Sequence, residues 1–442
     1  MRSCLRRYVS YSMACAAVLL GLWVQAVPCL ADTSPQPLLA AFDEVLQQVV
    51  TLRQLRPTGV IQRAIRSREQ IRSALLALAH EALTPAEWEA ERKAMLQWGL
   101  IGPEFRLREY VLDLLTEQAA GYYDPKQRMF FIADWLPNLV QKPVMAHELV
   151  HALQDQHYDL RANFDQVKDH ADLTLARKAV IEGDAVAIMF AYLLEPLGLS
   201  LEQLPDMQSL LQAGTALLGE QFQVYTKAPL ILRQQLLFPY VHGLSFIKAA
   251  LARGGWPALE QIYRQPPVST TQIMHPEKYF TSSPELPGTV RLQVPDEMWS
   301  TPWSKIKRDV LGEFLLAVML QQFLPEDEAR QSAAGWRGDR YELFEQPGSA
   351  HLSLVSVTAW ETVEEAREFF HSYQKVLNLK YPDWTPVAQD EPGSQLWQQG
   401  TRAVMLRQQE NVVQIVEGVP QTDLPRLRAF LERVSITPGG QP

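Results

Sequence analysis

Cysteine is nearly missing from this chain. Of its 442 residues three are cysteine, Cys4, Cys15 and Cys29, and all three precede residue 32. No disulfide framework therefore holds the remainder together. Long apolar runs are also missing: beyond residue 31 none reaches the ~18 residues that a membrane span needs. Positive charge is in deficit, with 41 Lys and Arg against 50 Asp and Glu and a net charge of −9. That balance argues against a nucleic-acid partner and for a soluble, self-repelling surface. There is no internal repeat and no low-complexity segment. The C-terminal third carries no Gly-rich phosphate loop, nucleophile elbow or metal cluster.

The first 31 residues read as a secretory signal peptide. Arg2, Arg6 and Arg7 precede a mostly apolar stretch, 13–27, and Cys29-Leu30-Ala31 offers small residues before a cut. Cleavage near Ala31 would export the mature chain to the periplasm or the medium. Without those three arginines, 38 basic residues face 50 acidic ones, a net charge of −12. The ~410 remaining residues are enough for two or three domains with proper cores.

The chain is organised around His147-Glu148-Leu149-Val150-His151. Histidines four apart on a helix lie about 40° apart around its axis, one turn above the other, so both rings can reach one ion. Met145, Leu149, Ala152 and Leu153 fall on roughly the opposite face, which can pack into a core. Pro143 suits a first helical position, where its missing N–H would be unpaired anyway. Neutral imidazole is a good ligand for Zn2+. Glu148 points near the ion without needing to bind it, which suits a general base and then acid. The bland alternative is a helix with two surface histidines and a solvated glutamate.

The segment from His147 to Asp155 resembles the zinc helix of gluzincin metallopeptidases, the thermolysin-like group. A longer pattern is similar to bacterial exported proteins of unassigned function. It comprises Gly121-Tyr122-Tyr123-Asp124-Pro125, the zinc helix, Ile181-Glu182-Gly183-Asp184-Ala185, and the segments 269–279 and 335–340. The resemblance covers most of the mature chain. It implies a zinc-dependent peptidase with a mainly helical, zincin-like catalytic domain acting on a peptide or protein, and it supplies no particular substrate.

Zinc needs a third protein ligand. Glu182 lies in an apolar helix, where a carboxylate is costly to bury unless something pairs with it. The Glu182-Gly183 pair resembles the gluzincin third-ligand helix. Gly183 would permit close approach of a helix or of the ion, and Asp184 could orient a histidine. The acidic residue usual four positions after the ligand is replaced by Val186. His157 competes: it lies ten after His147, the metzincin spacing. Gln154 stands where that motif needs a helix-breaking glycine, and a continued helix would carry His157 off the metal face. For the oxyanion donor the candidates are Tyr240, His242 and His275. Tyr240 comes first because the gluzincin resemblance implies a tyrosine on a later helix.

The expected fold class is α+β. Residues 32–117 read as an N-terminal helical region, with helices over 38–55, 61–80, 85–100 and 107–116. Residues 118–283 read as the zincin-like core, with a small hairpin over 119–133 whose second strand, over 129–132, would by the resemblance be an edge strand that pairs with extended substrate. Residues 284–442 read as a C-terminal α+β domain. It has a helix over 309–323, strands over 341–345 and 352–360, a helix over 362–379, a hairpin over 402–416 and a last helix over 422–434. The leading functional reading is zinc-dependent peptide hydrolysis, with His147, His151 and Glu182 on the metal and Glu148 and Tyr240 catalytic. The alternatives are a catalytically inactive binding protein on a peptidase fold and a metal-dependent hydrolase of non-peptide amides.

Overall fold

The computed structural model describes residues 41–118, 121–134, 138–164, 167–204, 222–387 and 393–439. The predicted signal segment lies outside them. The fold is α+β, as expected: helices make up the first two-thirds and a large antiparallel sheet the last third.

Helix α1 (Phe42–Arg53) buries Phe42, Val45 and Val49, spaced three and four apart, against the helix that carries His147 and His151. The helix expected over 61–80 divides in two. Strand β1 (Gln62–Arg66) comes first and helix α2 (Arg68–Ala82) follows. The short segment is held as a strand by tertiary pairing that local periodicity does not report. Helix α3 (Pro85–Gln97) starts as the sequence predicts: Thr84 accepts the Glu87 N–H and the Glu87 side chain returns to the Thr84 N–H, a capping box. Helix α4 (Leu107–Gln118) completes the region.

Strands β2 (Gly121–Asp124) and β3 (Met129–Ala133) form the expected hairpin, with Tyr123 opposite Phe130. The sheet has a third member, β1, which runs parallel to β3 on its other side. The order is β1-β3-β2, so β3, the strand expected at the edge, is central because β1 pairs with its free side, and β2 is an edge instead. Three long helices follow: α5 (Asn138–Tyr158), α6 (Ala171–Leu194) and α7 (Leu230–Gly254). Pro143 does not open α5. It sits inside the helix, which begins five residues earlier. Likewise α7 runs unbroken through Pro239. Of 196–228, which the sequence reads as helices over the core, 205–221 lie outside the described residues.

The C-terminal sheet has the order β5-β6-β7-β11-β10-β9-β8. Its strands are β5 (Ser304–Asp309), β6 (Trp336–Glu345), β7 (Leu352–Trp360), β8 (Thr385–Val387), β9 (Ser394–Gln399), β10 (Arg402–Gln409) and β11 (Val412–Pro420). A two-residue pair, β4 (Thr289–Val290) with β12 (Ile436–Thr437), ties the end of the chain back to the linker. Helices α8 (Gly312–Gln321) and α9 (Val363–Lys380) and the last helix α10 (Leu424–Leu431) pack around the sheet. One face lies on α9. The other is filled by α10 and the segment carrying Leu292, Trp299 and Trp303. A single apolar cluster takes in Trp98, Leu115, Ala179, Phe246, Leu316 and Phe369, so all three regions share one core. Among the described residues no helix is long and apolar enough to cross a membrane.

Candidate metal centre

Helix α5 presents His147 and His151 one turn apart, and both are buried. Their rings meet edge to face with centroids 4.7 Å apart, and their Nε2 atoms are 3.1 Å apart. Helix α6 packs alongside α5 and supplies Glu182, whose Oε2 lies 3.3 Å from His147 Nε2 and 3.4 Å from His151 Nε2. A tetrahedral ion at about 2.0–2.1 Å from each ligand separates its ligands by about 3.3 Å. The three atoms therefore have the spacing of three corners of a zinc site, and they are the ligand set the sequence puts forward first.

Two further observations fit a cation. Glu182 Oε2 is buried with only the two histidine nitrogens beside it, and a carboxylate oxygen so placed is costly unless a positive charge faces it. The cluster also draws a proton. Burial alone would push the His151 pKa down, but the Glu182 carboxylate outweighs it and raises it to about 9. Burial opposes charge on Glu182 too, yet the two histidines hold its pKa down to about 2. His147 has no such surplus, and burial lowers its pKa. A positive charge at the centre of the three is what the surroundings favour.

The candidate ligands are held from behind by a buried network. His151 Nδ1 lies 2.9 Å from Gln154 Oε1, which can only accept, so in the neutral ring Nδ1 carries the proton and the Nε2 lone pair faces the centre. Gln154 Nε2 donates to the Ile181 carbonyl at 3.0 Å and to Asp184 Oδ2 at 3.2 Å. Asp184 also accepts from Arg53 Nε and from the Tyr263 hydroxyl, both at 2.8 Å. The direct contact expected between Asp184 and a histidine is absent: Gln154 stands between them. Gln154 was readable as a neighbour of His151, three residues on along the same helix face. Arg53 carries no signal in the sequence, because it comes from α1, far away in the chain.

Glu148 is buried next to the pair and accepts the Tyr123 backbone N–H of β2. Burial pushes its pKa up to about 8, and its Oε2 has no hydrogen-bond partner. Tyr240 of α7 is also buried, and its ring lies nearly parallel to His147, 17° between planes and 6.2 Å between centroids. The other candidates are engaged elsewhere. His157 Nε2 donates to the Arg56 carbonyl at 2.7 Å, so the metzincin alternative finds no support in the geometry. His242 stacks on Phe238 at 4.8 Å, and His275 bonds Glu313 at 2.7 Å. The structure thus brings together His147, Glu148, His151, Glu182 and Tyr240.

The remaining motifs join regions of the fold. Asp339 accepts the N–H groups of Leu311 and Gly312 at the start of α8, each at 2.9 Å, and the Trp336 indole N–H at 3.0 Å. Thr270 donates its N–H to Asp172 Oδ1 at 2.9 Å, tying the 269–279 segment to α6. Ser269 caps the short helix Thr270–Met274, as its position predicts.

A cavity of about 150 Å³ borders Glu182 and Tyr240. Its walls are mostly apolar and come from α3, α4, α6, α7 and α8.

Comparison with known proteins adds little to this geometry. The model of a domain family of unknown function, DUF8575, matches residues 301–428, most of the C-terminal sheet. No curated protein matches the sequence. A crystal structure from Chloroflexus aurantiacus, described as a proposed hydrolase with a novel fold, is 14% identical and covers 60% of this chain and 94% of its own, with a TM-score of 0.31. A likeness at that level transfers neither fold nor chemistry to this chain.

Proposed function

We propose that this protein is a zinc-dependent peptidase of the gluzincin type. The observation that carries the reading is the convergence of His147 Nε2, His151 Nε2 and Glu182 Oε2 around one buried point, with Glu148 beside them. The three residues would hold the ion, which when bound polarises the scissile carbonyl and makes water acidic enough to attack near neutral pH. Glu148 takes a proton from the attacking water. It then delivers that proton to the leaving amine. Burial raises its pKa and favours the carboxyl form that acts as acid, while the charge of the bound ion would favour the carboxylate that first acts as base. Tyr240, whose ring stacks beside that of His147, would donate its hydroxyl to the oxyanion. The β2 edge carries the Tyr123 N–H that orients Glu148, and an extended peptide would lie along the same edge. With the signal segment, the reading makes the enzyme an exported one.

The test is Glu148→Gln. Zinc content should be unchanged, and hydrolysis of a mixed peptide library should fall by about 10² to 10⁴-fold. Wild-type turnover in that variant would reject the mechanism.

A further inference from the structure

A second cavity lies at the far end of α5, and none of the three candidate ligands lines it. Its volume is about 680 Å³, within the range of about 300–1,000 Å³ usual for ligand sites. Three segments form its walls: the loop before β1, the β2–β3 turn and the residues that end and follow α5. Two of the motif segments meet there through Pro125 and Asp155, residues to which the hydrolytic mechanism gives no role.

The walls are held in place by their own hydrogen bonds. Gln156 accepts the Thr58 and Gly59 N–H groups at 2.7 and 3.2 Å and donates to the Gly59 carbonyl at 3.3 Å, which fixes the loop to α5. In the turn, Asp124 Oδ1 accepts the Lys126 and Gln127 N–H groups at 2.8 and 3.2 Å. Arg128, which ends the turn, has a φ of 49°, and Asp159, which follows α5, has a φ of 42°. Both are left-handed conformations that a residue with a β-carbon adopts at a cost. Asp159 then accepts the Ala162 N–H at 3.0 Å and turns the chain into the short helix Leu160–Phe164, which sets Arg161 on the wall.

The charges on these walls are not equivalent. Both carboxylates already accept hydrogen bonds: Asp155 from the Tyr123 hydroxyl at 3.0 Å and the Leu160 N–H, and Asp159 from the Ala162 N–H. Arg128 and Arg161 are exposed, and neither makes a hydrogen bond or an ion pair with a described residue. A chain with a net charge of −9 thus gathers two unengaged guanidinium groups at one cavity. Guanidinium matches the oxygens of carboxylate and phosphate. The two neighbouring carboxylates repel a concentrated charge such as phosphate more than singly charged groups spaced apart.

The cavity can be reached from the candidate site along β2. A Cβ on Gly121 would lie 3.7 Å from Glu148 Cγ, so β2 begins against Glu148. Pro125 follows four residues on, about 13 Å along an extended chain. A peptide lying on the β2 edge with its scissile bond at Glu148 would enter the cavity with its third or fourth residue from that bond.

We infer that this cavity is a subsite for acidic residues, in which Arg128 and Arg161 hold carboxylate side chains of the substrate three or four residues from the bond that is cut. The substrate class is then peptides with an acidic stretch beside the cut. The inference rests on the peptidase reading for the path of the peptide, but the choice of ligand can be tested without turnover.

Acetyl-tetraglutamate amide is the probe, titrated calorimetrically into the full mature chain, with acetyl-tetraglutamine amide and inorganic phosphate for comparison. The variants are Arg128→Asn, which tolerates the left-handed position without a charge, and Arg161→Gln. Wild type should bind tetraglutamate about tenfold or more tighter than tetraglutamine, and each variant that keeps the wild-type melting temperature should lose about tenfold of that affinity. In parallel, peptides with Glu at the third and fourth positions from the cut should be cleaved about tenfold or more faster than their Gln counterparts, and the variants should remove the difference. Equal binding of the two peptides, phosphate bound tighter than tetraglutamate, affinity unchanged in both variants, or cleavage indifferent to Glu and Gln would overturn the subsite while leaving the peptidase reading standing. Tetraglutamate binding that needs both arginines, with no peptide cleaved at all, would support the cavity as an acidic-peptide site and reject the peptidase.

Discussion

Gly183 and Gly243 lie against each other where α6 crosses α7. A Cβ on Gly183 would meet the Gly243 carbonyl carbon at 2.3 Å, and a Cβ on Gly243 would meet the Ala179 carbonyl oxygen at 2.2 Å. Backbone touches backbone there, so no side chain can give way. The contact sits next to Glu182 and one helical turn from Tyr240, so the distance between that carboxylate and the tyrosine is fixed by two missing methyl groups. Gly243→Ala must push the helices apart. The expected cost is about 1–3 kcal/mol of stability, with weakened zinc binding. Urea denaturation and zinc content read both. Wild-type values for each would mean that the crossing does not position the site.

Gln154 fixes the His151 ring so that Nε2 faces the centre. Gln154→Met keeps the volume and removes all three side-chain hydrogen bonds. Zinc affinity should fall by about 10–100-fold, measured by competition with a chelator, with the fold intact. Unchanged affinity would show that the ring is held by packing alone.

Arg53 and Asp184 form a buried ion pair, with side chains 3% and 0% exposed. Removing one partner leaves the other charge stranded. Arg53→Met should destabilise the chain by about 3–5 kcal/mol. Arg53→Met combined with Asp184→Asn should recover part of that loss, because the stranded charge is gone. Equal unfolding free energies for the single and double variants would contradict the pairing argument.

His170 caps α6, the helix that carries Glu182. Its Nδ1 accepts the Leu173 N–H at 3.2 Å and must stay unprotonated to do so. Burial, helped by Arg340, lowers its pKa from 6.5 to about 4. Between those values the unfolded chain binds a proton that the folded chain does not. This stability is therefore complete above pH 6.5 and is lost as pH falls towards 4, by at most about 3 kcal/mol. His170→Asn keeps a capping oxygen that does not titrate. Its unfolding free energy should fall less steeply between pH 7 and 5 than that of wild type. Parallel curves would remove His170 from the account.

The parts of this fold that the sequence revealed are those decided locally. Thr84 and Thr362 each start a helix through a capping box that four residues define. Strand β7 is bounded as its alternation predicts. Strand β1 and the C-terminal strands β5, β8 and β9 escaped because they are short and polar and gain their order from a neighbouring strand. The site shows the same division. His147, Glu148 and His151 are one turn of one helix and could be read directly. Glu182 could be read as a carboxylate too costly to bury alone. Arg53 and the N-terminal wall of the cavity are set by packing between distant segments, and no local pattern records that packing.

Zinc per chain tests the central claim most directly. It should be measured on the purified mature protein, residue 32 onward, for wild type, Glu182→Ala and His157→Ala. The account predicts about one zinc in wild type and in His157→Ala, and little in Glu182→Ala, because Glu182 Oε2 completes the trio while His157 is bonded to the Arg56 carbonyl. No zinc in wild type, or loss confined to His157→Ala, would contradict it.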